Sequence, residues 1–367
     1  MSFFATPLGV KVGAALAGLG SVAAFGVAWL PHTVCLDNYK EFVQLYRHGL
    51  PCRLGPTLEQ RAQRVLADAS WLNDVKRRRV KFFFVSRVEP WFAGTTESGY
   101  GVLVGLPANF SYASTLDVRP QDYSLLAGRV GIEWISPAGR LLRESFVMSD
   151  EAQRFAMAHQ LYMTSTNYVT LNSIVACGAA LNTYILSKIA NRKMGPVNFG
   201  TRGVVYSLVA TLCYIGYLAI IDMATYKYER DAIRTVLHLG ADYRRGGVEF
   251  YEKCIVRNKA TRILLGKKGL SRFTVHGNVR TFFRTPHMPV TACLDYTRAV
   301  VKGIESRCDV CEEISGKSSS TKTPEQPATN TSDDDNNNDT NNNSNINKHT
   351  NSINENAAGL TSNTINA

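Results

Sequence analysis

SKIANRKMGPVNFGTR, residues 187–202, carries four basic side chains (Lys188, Arg192, Lys193 and Arg202), no acid, and a Gly-Pro break at 195–196. VTLNSIVACGAALNTYIL precedes it at 169–186, and GVVYSLVATLCYIGYLAII follows directly at 203–221. A helix rises about 1.5 Å per residue, so roughly 20 apolar residues cross a hydrocarbon core about 30 Å thick. Each flank has that reach, and neither holds an ionisable group at mid-span. A cationic bend between two such runs reads as a membrane hairpin. Short loops beside spans keep Lys and Arg on the side from which they were not translocated, which puts the connector on the cytosolic or matrix side. The competing reading for the first run is a buried helix of a soluble core, since Asn172, Ser173, Asn182 and Thr183 lower its hydropathy.

A third apolar segment, VKVGAALAGLGSVAAFGVAWL at 10–30, has one charge, Lys11, placed at its end where it can snorkel, and an interfacial Trp29. Its competitor is a secretory signal peptide. A basic n-region is missing before the apolar run, and so is the Arg-rich, Ser-rich character of a mitochondrial presequence, so an uncleaved anchor is expected. Small residues at Gly9-x3-Gly13, Ala14-x3-Gly18 and Ala176-x3-Ala180 offer faces for close helix packing. Gly13, Gly18, Asn172, Ala176 and Ala180 are the candidates for helix packing or partner contact. The cations Lys188, Arg192, Lys193 and Arg202 are the candidates for fixing topology and touching anionic lipid.

The remainder is ordinary in bulk: 367 residues, 19% charged, mean hydropathy −0.12. Membrane content is therefore a minority of the chain. The net charge is +11; three Lys and six acids from Gly316 onward leave +14 on the rest. A basic body suits nucleic acid, anionic lipid or nothing specific. The densest cluster, KRRRVK at 76–81, is followed by consecutive phenylalanines that a strand would turn to opposite faces, and no nucleic-acid pattern surrounds it. A solvated helix end is the first reading of this cluster and an anionic-lipid contact the next; no nucleic-acid partner is expected.

Between the spans, residues 31–168 read as a small α+β domain. TLEQRAQRVLADASWLNDV is an amphipathic helix with Leu58, Val65, Leu66 and Leu72 inward. VKFFFV, YGVLVGL and GRVGIEWIS read as strands. VMSDEAQRFAMAHQLYM is a helix capped by Ser149, with Phe155, Ala158 and Tyr162 at helical spacing, expected to run unbroken into the second span. Residues 222–314 form a basic, mainly helical region, in which a Gly pair opens and Gly266 closes the helix GGVEFYEKCIVRNKATRILLG. From 315 the chain is a Ser/Thr/Asn/Asp-rich tail, too polar to fold and expected to be disordered.

The fold class is thus an α+β membrane protein with an N-terminal anchor (10–30), an extramembrane domain (31–168), a two-span hairpin (169–189 and 204–221) around the connector 190–203, a C-terminal region and a tail. No nucleotide loop, nucleophile elbow or metal cluster appears. CDVC at 308–311 has metal or redox spacing but no second pair to complete a zinc site. The seven histidines are scattered, and His159 has no carboxylate or histidine four residues away. No active site and no cofactor are expected. Two rivals are an integral-membrane enzyme or small transporter and a secretory-pathway membrane protein; the sequon NFS at Asn109 bears on the last.

Two blocks, ISPAGRLLRESFVMSDEAQRFAMAHQLY (135–162) and GGVEFYEKCIVRNKATRILLGKKG (246–269), resemble the transmembrane protein 177 family, in the same order around a two-span hairpin. The resemblance implies a mitochondrial inner-membrane protein that assists cytochrome c oxidase biogenesis without catalysis. Its implied partners are newly made subunit II and the membrane chaperone of that subunit. The second block contributes Glu249, Phe250 and Tyr251 as candidate contact residues. The tail departs from the family pattern.

Overall fold

The computed structural model describes residues 6–119, 133–195, 198–281 and 284–318. Three helices are long and apolar enough to cross a membrane. The first, α1 (Pro7–Trp29), opens on Thr6, whose Oγ1 accepts from the Gly9 amide at 3.1 Å, with proline at its first position. A turn at Leu30–His32 leads into α2 (Leu36–Val43), and a two-residue hairpin follows, β1 (Tyr46–Arg47) with β2 (Leu50–Pro51). His48 and Gly49 both take positive φ there, the geometry of a tight turn matched to strand twist.

Helix α3 (Pro56–Asp68) buries Leu58, Val65 and Leu66 as its periodicity predicts, and Leu72 follows them inward. A short turn, α4 (Asp74–Arg77), is capped by Asn73 and leads into the sheet. The sheet has β5 (Val102–Pro107) at its centre, parallel to β3 (Val80–Val85) and antiparallel to β4 (Trp91–Gly94). All six residues of β5 are buried. Alternation splits β3 as expected: Phe82 and Phe84 pack toward α3, whereas Phe83 and Val85 pack under α2 with Leu36 and Val43. Strand β4 has no counterpart among the runs picked from the sequence. Of the strand expected in GRVGIEWIS, residues up to 132 lie outside the described residues; 133–136 form a turn whose Ser136 caps α5 (Pro137–Phe146).

Ser149 caps α6 (Asp150–Thr164), its Oγ accepting from the Ala152 amide at 3.1 Å. The expected continuous passage into the membrane is interrupted at 165–167. The stretch Thr-Ser-Thr-Asn supplies side chains that compete with the helix: Thr164 and Thr166 hydroxyls donate to the carbonyls of Leu161 and Met163. The Thr164 carbonyl is taken by the amide of Thr96, from the turn that follows β4. The chain restarts as α7 (Tyr168–Met194), and Gly195, at φ 64°, ends it in a backbone state that only glycine adopts freely.

The third span belongs to a far longer helix, α8 (Phe199–Leu237), of 39 residues or about 58 Å. Its last part changes character: Ala232, Ile233, Val236 and Leu237 are fully buried in the extramembrane body. Helix α9 (Ala241–Leu264) begins five residues before the Gly pair that was expected to open it. Gly246 and Gly247 are interior and buried because α9 crosses α6 at contact distance. A Cβ on Gly246 would meet the Glu151 carbonyl, and one on Gly247 the ring of Phe155. Gly266 ends the segment as expected, at φ 52°. A short α10 (Lys267–Arg272) and α11 (Val290–Ser318) complete the described chain. The side chains of Cys308 and Cys311, and the tail beyond 318, lie outside the described residues.

The two extramembrane stretches share one core. Val65, Leu106, Phe110, Phe155 and Leu161 from the first pack with Ile233, Leu237, Tyr251 and Leu294 from the second. Both α1 and α7 meet this body at β4: the Gly94 amide donates to His32 Nδ1 at 3.3 Å, and Phe92 lies edge-on to Tyr168 with centroids 6.2 Å apart. The body therefore sits at one end of the three spans and the basic connector at the other.

Candidate functional site

Helix α7 is the middle member of the bundle, packed by α1 on one side and α8 on the other. The least exposed positions of α1 recur every four residues: Gly9, Gly13, Ala17 and Ser21. Gly13 thus belongs to the packed stripe of α1, whereas Gly18 lies with Ala14 on the exposed face. Ala176 and Ala180 are half-buried. At most about a tenth of each span is buried inside the protein (6%, 11% and 6%), leaving broad apolar faces such as Leu19, Val27, Ile185, Leu208 and Leu212.

In hydrocarbon every polar group must find a partner within the protein. Most of those here do. Ser21, Ser173, Thr183 and Thr211 donate to the carbonyl four residues earlier in their own helices. Asn172 Oδ1 accepts from the Tyr217 hydroxyl at 2.7 Å, closing the α7–α8 hairpin. Asn172 is therefore committed inside the chain. Asn182 does not: it is exposed, six residues before Lys188, and its side-chain amide makes no hydrogen bond among the described residues; in α8 the exposed hydroxyls of Tyr206, Ser207 and Tyr214 likewise have no partner among the described residues. The ten-residue separation from Asn172 was the only sequence signal, placing the two amides on different faces; it could not say which face the neighbouring helix covers.

At the far end the connector is tied by Arg202, which donates to the Gly195 carbonyl at 3.2 Å. Lys188, Arg192 and Lys193 are exposed there, with Lys188 Nζ 6.0 Å from the Tyr184 ring centre. All four cations lie together at the end of the hairpin away from the body.

Glu249, Phe250 and Tyr251 fall at the junction between the two sequence blocks, which pack directly on each other. Glu249 accepts from the Ser149 amide at 2.9 Å and from its hydroxyl, so it holds the residue that caps α6. Phe250 and Tyr251 lie against Phe155, with centroids 6.0 and 5.7 Å away. Arg154, nearly buried, pairs with Asp150 at 2.9 Å and Asp242 at 3.1 Å and spans the same junction. Tyr243 donates to Asp68 at 2.7 Å; burial, then that carboxylate, raises its pKa. Each of these contacts is internal.

The buried thiols are poor nucleophiles. Burial pushes the Cys254 thiol up to about 11 and raises that of Cys293 as well, so both stay protonated at neutral pH. No group of three metal-ligating side chains comes together among the described residues. His159 lies beside Glu229 in the core rim, and burial lowers its pKa. Glu229 is engaged by two other donors, accepting from the Met288 amide at 2.7 Å and bonding His287 Nδ1 at 2.6 Å. A cleft of about 370 Å³ is lined by Lys268, Arg272, Arg280, Ser271 and Leu265, with no carboxylate or histidine among these lining residues to act as a base. Asn109, of the sequon, is buried, and its Nδ2 donates to the Phe146 carbonyl at 3.1 Å. A glycan on that nitrogen is incompatible with the fold, so an unglycosylated chain says nothing about compartment.

The comparisons fit this architecture. No solved structure matches the chain. The family model described as Transmembrane protein 177 matches residues 98–288, from the central strand through the hairpin to the loop before α11. Transmembrane protein 177 of Homo sapiens is 31% identical over 294 residues, 78% of this chain and 92% of that protein. The Mus musculus protein of that name is 31% identical over 285 residues (76% and 89%), and that of Danio rerio 31% over 269 (72% and 84%). The names of these relatives state no enzymatic activity. A three-span membrane protein whose two matching blocks form each other's packing surface, this chain belongs to the transmembrane protein 177 family.

Proposed function

We propose that the protein is a non-enzymatic scaffold of the mitochondrial inner membrane that assists assembly of cytochrome c oxidase. Its spans dock onto the transmembrane helices of subunit II and of the membrane chaperone of that subunit. The connector at 190–203 faces the matrix, and the body lies on the opposite side. The supporting observation is Asn182. A primary amide moved from water to a medium that cannot hydrogen-bond costs about 4–8 kcal/mol, so an exposed one at hydrocarbon depth calls for a polar group on another helix. Neither α1 nor α8 supplies it. A scaffold that recruits a membrane client has a use for such a group, whereas a transport path needs ionisable groups converging at that depth.

The test is gentle solubilisation of mitochondria followed by recovery of the tagged full-length chain, wild type beside Asn182→Leu. Subunit II and its chaperone are expected with the wild type and reduced with the variant. Recovery of wild type without any oxidase-assembly component overturns the proposal. Protease access to the connector only after the inner membrane is opened checks the orientation.

A further inference from the structure

The chain's densest basic run, Lys76 to Lys81, lies at the end of the sheet that meets the membrane. The residues just beyond it show why. The Arg79 carbonyl accepts from the Val102 amide at 3.1 Å, and its guanidinium donates to the Ser98 carbonyl at 3.4 Å. The loop holding Ser98 reaches Tyr100, whose ring sits edge-on to Trp29, the last residue of α1, with centroids 6.2 Å apart. Gly94, paired with Val102 across the sheet, donates to His32 at the same exit. The basic turn is therefore one short loop removed from the point where α1 leaves the hydrocarbon. The polar interface beyond the hydrocarbon is about 5–8 Å deep on each side, so side chains at that place lie in or beside the headgroup layer.

The charge is not consumed within the fold. Lys76 pairs with Glu97 at 2.6 Å, and Arg77 with Asp74 at 3.1 Å and the Ala69 carbonyl. Arg78 and Lys81 are exposed and make no side-chain hydrogen bond or ion pair among the described residues, and Arg79 is exposed with its single 3.4 Å contact. Five cations face two carboxylates. An exposed excess of positive charge beside an aromatic pair at a membrane exit matches an anionic phospholipid surface.

We propose that this turn binds the headgroups of anionic phospholipid in the leaflet on the body's side, opposite the connector. Arg78, Arg79 and Lys81 supply the free charge. The inference depends on the three spans and not on the identity of any client protein. It gives the body a second hold on the bilayer, through its sheet as well as through its helices.

The test uses the purified full-length chain in detergent, titrated with phosphatidylglycerol or phosphatidylcholine, with bound lipids counted by native mass spectrometry. The connector is first neutralised (Lys188→Gln, Arg192→Gln, Lys193→Gln) so that its own lipid binding is removed. That protein should still prefer phosphatidylglycerol. Each juxtamembrane cation strengthens such binding about fivefold, so adding Arg78→Gln, Arg79→Gln and Lys81→Gln should weaken phosphatidylglycerol binding at least about tenfold and leave phosphatidylcholine unchanged. Unaltered phosphatidylglycerol binding, or an equal loss for both lipids, overturns the proposal. Should the added substitutions unfold the chain, salt decides on the folded connector-neutralised protein. Binding must fall steeply as ionic strength rises, and salt-insensitive binding overturns the proposal.

Discussion

Replacing Gly246 by alanine sets two opposing effects against each other. In a helix interior alanine is favoured over glycine by about 1 kcal/mol, so propensity alone predicts a gain. The new Cβ, however, would land on the Glu151 carbonyl and 2.8 Å from the Ala152 amide nitrogen. Those are backbone atoms in the first turn of α6, and they cannot swing aside as a side chain would. That turn is held by the Ser149 cap, by Glu249, and by Asp150 paired to Arg61 and Arg154. The helices must part instead. A gap of 0.5–1 Å forfeits about a quarter to a half of the dispersion at each contact, here between Phe155 and the rings of Phe250 and Tyr251. Overpacking costs about 1–3 kcal/mol, sometimes more, and a backbone obstacle puts this site at the upper end. The net loss is about 2 kcal/mol, or roughly 4–8 °C in melting temperature for a body of this size. Gly303→Ala in α11 is the control, since a Cβ there meets nothing within 4 Å and propensity should win. Thermal unfolding of both variants in detergent, followed by tryptophan fluorescence, reads the difference. A Gly246→Ala protein melting at or above wild type, or an equal loss in Gly303→Ala, would refute the close-crossing argument.

Three further outcomes follow from named contacts. Glu249→Ala should lower stability by about 2 kcal/mol in the same melt, because it removes a carboxylate from two donors, and Glu249→Gln should lose less. Tyr217→Phe frees Asn172 inside the bundle; intramembrane hydrogen bonds average about 0.6 and reach about 1.7 kcal/mol, so unfolding in mixed micelles should shift slightly and the hairpin should survive. The bond to Glu229 raises the His287 pKa above its ordinary 6.5. Its contribution is therefore complete below about 6.5 and is lost as pH rises through the raised value. His159 has the opposite sign: its lowered pKa makes acid destabilising below about 6.5. A melt series from pH 5.5 to 8 should show His287→Gln removing the acid-side support and leaving stability that only rises with pH. A variant whose profile superposes on wild type would contradict the assignment.

Much of the architecture is legible because it follows from composition over long windows. The three apolar helices, the inward residues of α3 and the Ser149 cap need only length, period and a local hydrogen bond. The parts that are not legible turn on encounters between distant segments. Gly246 and Gly247 look like a helix start because glycine is costly inside one; only the crossing of α6, a hundred residues earlier, makes them necessary. The break at 165–167 requires the Thr96 amide to arrive from the turn after β4 and take a freed carbonyl. Strand β4, with four residues, is too short to show a period. Asn172 and Asn182 are chemically identical in the sequence and differ only in which face of α7 meets Tyr217.

The stalk of α8 gives these local facts a joint consequence. Above Ile221 the helix is fixed to α7 through Tyr217; just beneath it Asp222 pairs with Arg284 at 2.9 Å, and deeper still Ile233 and Leu237 are locked into the core. An unbroken helix transmits rotation, so the body cannot turn about the bilayer normal without turning the bundle. The attachments of α1 and α7 to β4 oppose the same motion from the other side. The azimuth of Asn182 on α7 and that of the basic turn at 76–79 are consequently set together. A helix docking against the first finds the sheet, its aromatic exit and its cations in one orientation, and that fixed geometry is what the scaffold proposed above would offer a client.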